Sequence, residues 1–181
     1  MQNTPEPMWN STDYQHMARA IQLAWGGLYT TEPNPRVGCV LAKGDAVIAE
    51  GFHRIAGEGH AEVNALRVAG RQAQGASAYV TLEPCSHFGK TPPCAYALIA
   101  AGVAEVVIGM VDPNPQVSGN GIEKLLQAGI KVRSGLLETQ VRALNPGFIK
   151  RMTQGLPWVR VKLAVSLDGR TAMASGESQW I

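Results

Sequence analysis

The sequence predicts an α/β protein, a three-layer α/β/α sandwich around a mixed central sheet, and two observations carry that prediction. Two strand-like runs flank Lys43-Gly44-Asp45 as a hairpin, and after them helical and strand-like segments alternate, glycines stopping the helices. The hairpin supplies antiparallel pairing and the alternation supplies parallel pairing, so the sheet is mixed and helices cover both faces. Residues 1–12 lack periodicity and read as a disordered lead-in. From Asp13, the side chains of Tyr14, Met17, Ile21, Ala24 and Trp25 form a helical stripe, capped by Thr12 or Asp13 and ended by Gly26-Gly27. Residues 37–41 and 46–52 are the hairpin strands, 61–69 a helix stopped by Gly70, and 78–82 a short apolar strand. A helix over 93–101, a strand over 105–110, a helix over 122–128 and a strand over 131–133 continue the alternation. A helix over 136–152 then leads through Gly155-Leu156-Pro157 into a strand over 158–165 that has no partner left in the sequence. The expected division is a lead-in over 1–12, one complete domain over 13–152, and the opening of a second, cut off, over 153–181.

Composition narrows the function. The 181 residues are 45% hydrophobic and 17% charged, as in a globular protein, and the formal net charge of +2 is too small to attract nucleic acid or an anionic membrane by field strength. Any phosphate recognition must therefore be local. An odd count of three cysteines argues against a secreted disulfide framework and fits a reducing cytoplasm. The N-terminus has no basic segment followed by an apolar run, and the apolar stretch 95–111 is broken by Gly102, Glu105 and Gly109, so neither a signal peptide nor a membrane span is expected.

Six of the seven histidines and cysteines lie between Cys39 and Cys94. Cys39, between Gly38 and Val40 in a strand, reads as a small buried hydrophobe. His60-Ala61-Glu62, Pro84-Cys85 and Cys94 are different: one imidazole and two thiolates make three ligands for zinc, with a fourth position open to water. A closed structural site completed by His53 or His87 is the alternative. Cys85 and Cys94 fall where helical turns begin, a setting that favours thiolates. Glu62 then stands beside the metal without binding it, placed to take up and return a proton. Residues two apart on a helix diverge, so His60 and Glu62 share a site only if His60 is at the cap, which Gly57 and Gly59 make feasible.

His-x-Glu followed by Pro-Cys and a later Cys resembles the zinc-dependent deaminases of cytosine-like or adenine-like rings, the cytidine/deoxycytidylate deaminase-like superfamily. Those enzymes commonly space the cysteines Cys-x-x-Cys, whereas here eight residues separate Cys85 from Cys94. The run Thr-Leu-Glu-Pro-Cys-Ser-His-Phe-Gly-Lys-Thr-Pro-Pro-Cys over 81–94 resembles the deaminase half of the bifunctional riboflavin-biosynthesis family. Asn34-Pro35-Arg36-Val37-Gly38-Cys39-Val40, Gly51-Phe52-His53, and Asp112-Pro113-Asn114-Pro115 with Gly119 and Gly121 support it, and the resemblance spans roughly residues 14–181. It implies a cytidine-deaminase-like fold and hydrolytic deamination of diaminohydroxyphosphoribosylaminopyrimidine, with Zn2+ held by His60, Cys85 and Cys94 and Glu62 as proton shuttle. It further implies that Asn34 and His53 orient the ring and that Lys90, Thr91, Asp112 and Asn114 read the ribose phosphate. The family commonly reads His-Ala-Glu-Val-His; this chain has Asn64 in the last place, which hydrogen-bonds but does not titrate near neutrality.

Residues 162–172 and 175–181 resemble the opening of the same family's reductase half, which uses NADPH. By that resemblance Ala164 and Trp180 contact the nicotinamide cofactor and Ser178 the substrate. With one strand and no glycine-rich phosphate loop, independent reductase activity is not expected. Two other readings stand beside the deaminase: a nucleic-acid base deaminase, which would want Cys-x-x-Cys and a basic tract, and a non-catalytic zinc-binding scaffold, for which Glu62 has no use. The expected partner is a phosphorylated pyrimidine, with no nucleic acid and no membrane, in the cytoplasm. A homo-oligomer is in keeping with the resemblance, and the sequence leaves that state open.

Overall fold

In the computed structural model, which describes residues 9–87, 92–115 and 117–178, the first helix α1 (Ser11–Ala24) starts earlier than its apolar stripe suggests. Asn10 is its cap: the Asn10 side chain accepts from the Asp13 N–H at 2.8 Å, and the Asp13 carboxylate accepts from the Asn10 N–H at 3.1 Å. This reciprocal pair satisfies the free donors of the first turn, so residues 11 and 12 are helical rather than part of a lead-in. Residues 1–8 of that expected lead-in lie outside the described residues.

A short 3-10 turn, Trp25–Gly27, ends α1, and the hairpin follows as β1 (Gly38–Lys43) and β2 (Ala46–Phe52). The rest alternates as expected: α2 (Ala61–Ala69), β3 (Ser77–Leu82), α3 (Cys94–Ala100), β4 (Glu105–Met110), α4 (Asn120–Gln127) and β5 (Lys131–Ser134). The five strands form one sheet in the order β2-β1-β3-β4-β5. β1 runs antiparallel to both β2 and β3, while β3, β4 and β5 are parallel, which makes the sheet mixed. The interior strands β1, β3 and β4 are buried almost throughout, as their near-continuous apolar runs require. Helices α2, α3 and α4 pack together on one face of the sheet, and α1 and α5 on the other.

This topology aims several loops at one place. Because β2, β3 and β4 point the same way, their carboxyl ends share one edge with the amino end of antiparallel β1. Four segments emerge there: the approach to β1 with Asn34, the exit of β2 with His53, the exit of β3 with Glu83 and Cys85, and the exit of β4 with Asp112 and Asn114. Ligands of open α/β sheets collect at such an edge.

Two expectations fail beyond β5. The helix over 136–152 is two helices, α5 (Glu138–Leu144) and α6 (Pro146–Gln154), because Asn145 leaves helical geometry and Pro146 begins a new first turn. The strand over 158–165 does not form: those residues pair with no strand, and Val159, Val161 and Leu163 are exposed. A lone strand has no ladder to satisfy its amides, so water is their best partner.

A buried polar network ties α1 to the sheet. Arg133 on β5 donates to both Asp13 oxygens at 2.9 and 3.0 Å and to Glu105 at 2.7 Å, while the Tyr79 hydroxyl donates to Asp13 at 2.9 Å. Burial raises the Asp13 carboxyl, but bonds from Arg133, the Asn10 N–H and Tyr79 together outweigh it and hold it below its ordinary 3.8. A depressed carboxyl adds stability above its unfolded value that is lost as pH falls through its folded one. We therefore expect Asp13→Asn, compared with the parent by urea unfolding, to be less stable near neutrality but to lose less between about pH 5 and pH 2. At the contact of α1 with β1, a Cβ on Gly38 would stand 1.9 Å from the Ala20 carbonyl oxygen. Gly38→Ala must push the helix off the strand, and a loss of roughly 1–3 kcal/mol in urea unfolding is expected.

Candidate active site

His60 is the N-cap of α2, with extended backbone at φ −70° and ψ 170°. The cap geometry removes the difficulty of the i,i+2 spacing, because His60 stands outside the helix while Glu62 sits in its first turn. Two glycines precede it, and Asn64 holds the bend by donating to the carbonyls of Phe52 at 2.9 Å and Gly59 at 3.0 Å. Asn64, set where the family commonly has histidine, is thus a strut for the His60 approach.

Cys94 is the first residue of α3 and Cys85 lies in the loop after β3. Cys85 is therefore not itself at a helix start. The start of α3 nonetheless points at it: the Cys94 N–H donates to the Cys85 sulfur at 3.3 Å, and the Ala95 N–H to the Cys85 carbonyl at 3.1 Å. The two sulfurs converge on one imidazole nitrogen, with His60 Nδ1 3.2 Å from the Cys94 Sγ and 3.5 Å from the Cys85 Sγ. All three donor atoms lie within 4.8 Å of one another. Tetrahedral zinc with ordinary bond lengths separates its N and S ligands by about 3.5 Å and its S ligands by about 3.8 Å. The donor set therefore fits the ion without rearrangement of the chain.

Electrostatics point the same way. A hydrogen bond from Cys94, with further help from His60 and the Cys94 N–H, draws the Cys85 thiol down to about 4 against the opposing effect of burial. Cys94 is held well above its ordinary value, first by its hydrogen bond to Cys85 and then by burial. The pair holds one negative charge on its own, and a cation is what allows both sulfurs to ionise. Among the described residues this is the one His, Cys, Asp or Glu cluster compact enough to hold a metal, and neither His53 nor His87 belongs to it. The closed structural site is thus not what the chain builds from those two histidines.

Glu62 is 3% exposed. Burial, and then the Cys85 charge, raises its carboxyl to about 7, with His60 opposing. Cys39 is fully buried with its thiol pushed up by burial, in keeping with a core role.

A cavity of about 520 Å³ opens over this cluster, lined among others by Asn34, His53, His60, Glu62, Cys85, Asp112 and Asn114. The Gly59 carbonyl can only accept, so His53 Nδ1 donates to it at 3.1 Å. Nε2 of the neutral ring then accepts from the Asn34 amide at 3.1 Å, and burial, the largest influence on His53, favours that neutral form. Asp112 is buried with its carboxyl raised to about 6, chiefly by burial, and accepts from the Asn114 N–H at 2.8 Å.

Lys90, Thr91 and Trp180 lie outside the described residues. Ala164 and Ser178 are not brought to the cavity: both are exposed in the 155–178 segment, where Ser178 donates to the Thr171 carbonyl. Arg151 and Glu83, which line the cavity, were not singled out from sequence, and His87, weighed there only as a fourth metal ligand, lines it too. Glu83, 3% exposed, accepts from the backbone N–H groups of Asp112, Gly119, Gly121 and Ile122 at 2.9–3.3 Å. It ties the exit of β3 to the loop carrying Asp112 and Asn114 and to the first turn of α4. The glycine pair at 119 and 121 was its one visible trace, since a Cβ on Gly121 would stand 2.0 Å from the Pro84 carbonyl oxygen.

Known proteins resemble this chain in sequence and fold. The family model for the cytidine and deoxycytidylate deaminase zinc-binding region matches residues 10–110. Riboflavin biosynthesis protein RibD of Escherichia coli is 62% identical over 169 residues, which cover 93% of this chain and 46% of that protein. The diaminohydroxyphosphoribosylamino-pyrimidine deaminase of Buchnera aphidicola subsp. Acyrthosiphon pisum is 55% identical over 145 residues, 80% of this chain and 99% of that one. The solved structure of Acinetobacter baumannii RibD, form 1, superposes with a TM-score of 0.91 at 60% identity, covering 94% of this chain and 48% of the other. The chain thus spans about half the length of the RibD relatives it matches. Sheet order, the His, Cys and Cys cluster and these matches lead to one assignment: the chain belongs to the cytidine and deoxycytidylate deaminase zinc-binding family, in its riboflavin-biosynthesis branch.

Proposed function

We propose that this chain hydrolytically deaminates diaminohydroxyphosphoribosylaminopyrimidine, exchanging a ring amine for oxygen and releasing ammonia. The observation that carries the reading is the buried Glu62 carboxyl beside the three converging donors His60, Cys85 and Cys94. These three residues would hold zinc, which when bound supplies Lewis-acid activation of water at neutral pH. Glu62 does the proton work. Its carboxyl, raised to about 7, can take one proton from the attacking water and give it to the ring nitrogen, then take the second from the added hydroxyl and give it to the departing amine. Water adds its oxygen to the carbon that bears the amine, the C–N bond breaks, and the two water hydrogens leave on ring and ammonia, so atoms balance.

The remaining residues orient. The His53–Asn34 pair, fixed through the Gly59 carbonyl, presents polar groups to a ring on the cavity wall. Asp112 and Asn114, with Lys90 and Thr91 of the loop between the cysteines, are assigned to the ribose phosphate. NADPH, Ala164, Ser178 and Trp180 have no part in this chemistry; they belong to the reduction that the resemblance ascribes to the other half of the family. No helix among the described residues is long and apolar enough to cross a membrane, and three free thiols suit a reducing cytoplasm.

Glu62→Gln keeps the shape of the side chain and removes its proton chemistry. Ammonia release from the phosphoribosyl pyrimidine should fall by about 10²–10⁴-fold with zinc content and circular dichroism unchanged. A variant that turns over at the parent rate would leave the non-catalytic scaffold as the better account. Cys85→Ser should cost both metal and stability: elemental assay should find about one zinc per parent chain and little in the variant, with a lower thermal midpoint. Full zinc in that variant would mean that other side chains bind it.

A further inference from the structure

Glu58, Glu62, Glu83 and Asp112 line the cavity, and among the described residues lining it one side chain is permanently cationic, Arg151. An acidic cavity repels an anionic substrate unless a cation meets the anion locally, and a net charge of +2 over the whole chain cannot do so by field. Unlike Arg19, Arg133 and Arg142, which sit against Glu50, Asp13 and Glu138, Arg151 has no side-chain hydrogen bond or ion pair among the described residues.

The position of Arg151 is built. It shares α6 with Phe148 and Met152, and the spacing of three and four residues puts all three on the helix face that lines the cavity. The start of α6 is clamped by buried Asn145, whose Oδ1 accepts from the Arg36 N–H at 2.8 Å and whose Nδ2 donates to the Arg36 carbonyl at 2.9 Å. Arg36 in turn belongs to the segment that brings Asn34 and Val37 to the same cavity. The break at Asn145-Pro146 that separates α6 from α5 is thus what turns this face over the site.

We propose that Arg151 is the specificity-determining cation of the site and grips the phosphate of the phosphorylated pyrimidine, an assignment that rests on the deamination proposed above. The guanidinium is a planar fork matched to phosphate oxygens, and an unpaired one at a cavity wall gives up no partner to bind them. α6 lies outside residues 10–110, so Arg151 adds to the phosphate contacts assigned above from a stretch beyond the one that carries the deaminase chemistry.

The test measures ammonia release by the zinc-loaded chain from the phosphorylated substrate and from its dephosphorylated ribosylamino counterpart. In Arg151→Ala the preference for the phosphorylated compound, as a ratio of kcat/KM values, should fall about 10- to 100-fold, through KM rather than kcat, with Arg151→Lys recovering part. An unchanged preference, or equal losses for both compounds, overturns the assignment. Ribose 5-phosphate binding, followed by NMR chemical shifts, separates this inference from turnover. Binding by the parent that is lost in Arg151→Ala supports the assignment even if the parent releases no ammonia, an outcome that would sink the deamination reading alone. Equal binding by the variant, or none by the parent, overturns the role of Arg151.

Discussion

Two sulfurs and an imidazole within 4.8 Å can hold one negative charge unaided and two only beside a cation, and the architecture of the site follows from that constraint. The low value of Cys85 and the high value of Cys94 are the two faces of it. Neither sulfur is placed by its neighbours in sequence alone. Cys94 is set by the first turn of α3 and Cys85 by the loop that turn folds back upon, with the Cys94 N–H reaching the Cys85 sulfur. His60 completes the cluster because it ends an extended approach rather than beginning a helix. A regular helical residue there would have faced away from Glu62, and the carboxyl could not have stood beside the same ion.

A second carboxylate organises what the first does not reach. Glu83 gathers four backbone N–H groups, which offsets the cost of its burial and fixes the exit of β4 against the exit of β3. Its neighbour across the sheet edge, Asp112, accepts from the Asn114 N–H and is pushed up to about 6, chiefly by burial. Two acidic side chains on one wall therefore differ: Glu83 ties the loop together through four backbone donors, and Asp112 is the one proposed above to meet the substrate.

Much of this was legible in the sequence because its signals were local. The hairpin at Gly44 and the helices stopped by Gly70 and Gly102 are read from residue types and short spacings and stand where the sequence puts them, and His60, Cys85 and Cys94, singled out by residue type and motif, do converge. The losses share a cause. Glu83 is defined by main-chain donors 29 to 39 residues away, and backbone N–H groups leave no mark on composition. The helix over 136–152 looked continuous because its apolar spacing runs through Asn145, whereas Asn145 is claimed by Arg36, 109 residues earlier. The strand over 158–165 has the right alternation but no partner, and alternation alone cannot make a ladder. Arg151 was invisible for the same reason as Asn145: only the broken helix brings it to the cavity.

The break at Asn145 also divides the cavity wall into two parts that are held in different ways. The residues that would bind metal and move protons descend from the carboxyl edge of the sheet and the caps of α2 and α3, where small displacements disrupt ligand geometry. The wall formed by α6 is attached through a side chain clasping a loop backbone, and its face can be altered without moving a strand. Among the described residues that line the cavity, those from 34–114 include no permanently cationic side chain, and α6 supplies Arg151. A change on the α6 face need not disturb the cluster at the sheet edge, because the two parts are held by different hydrogen bonds.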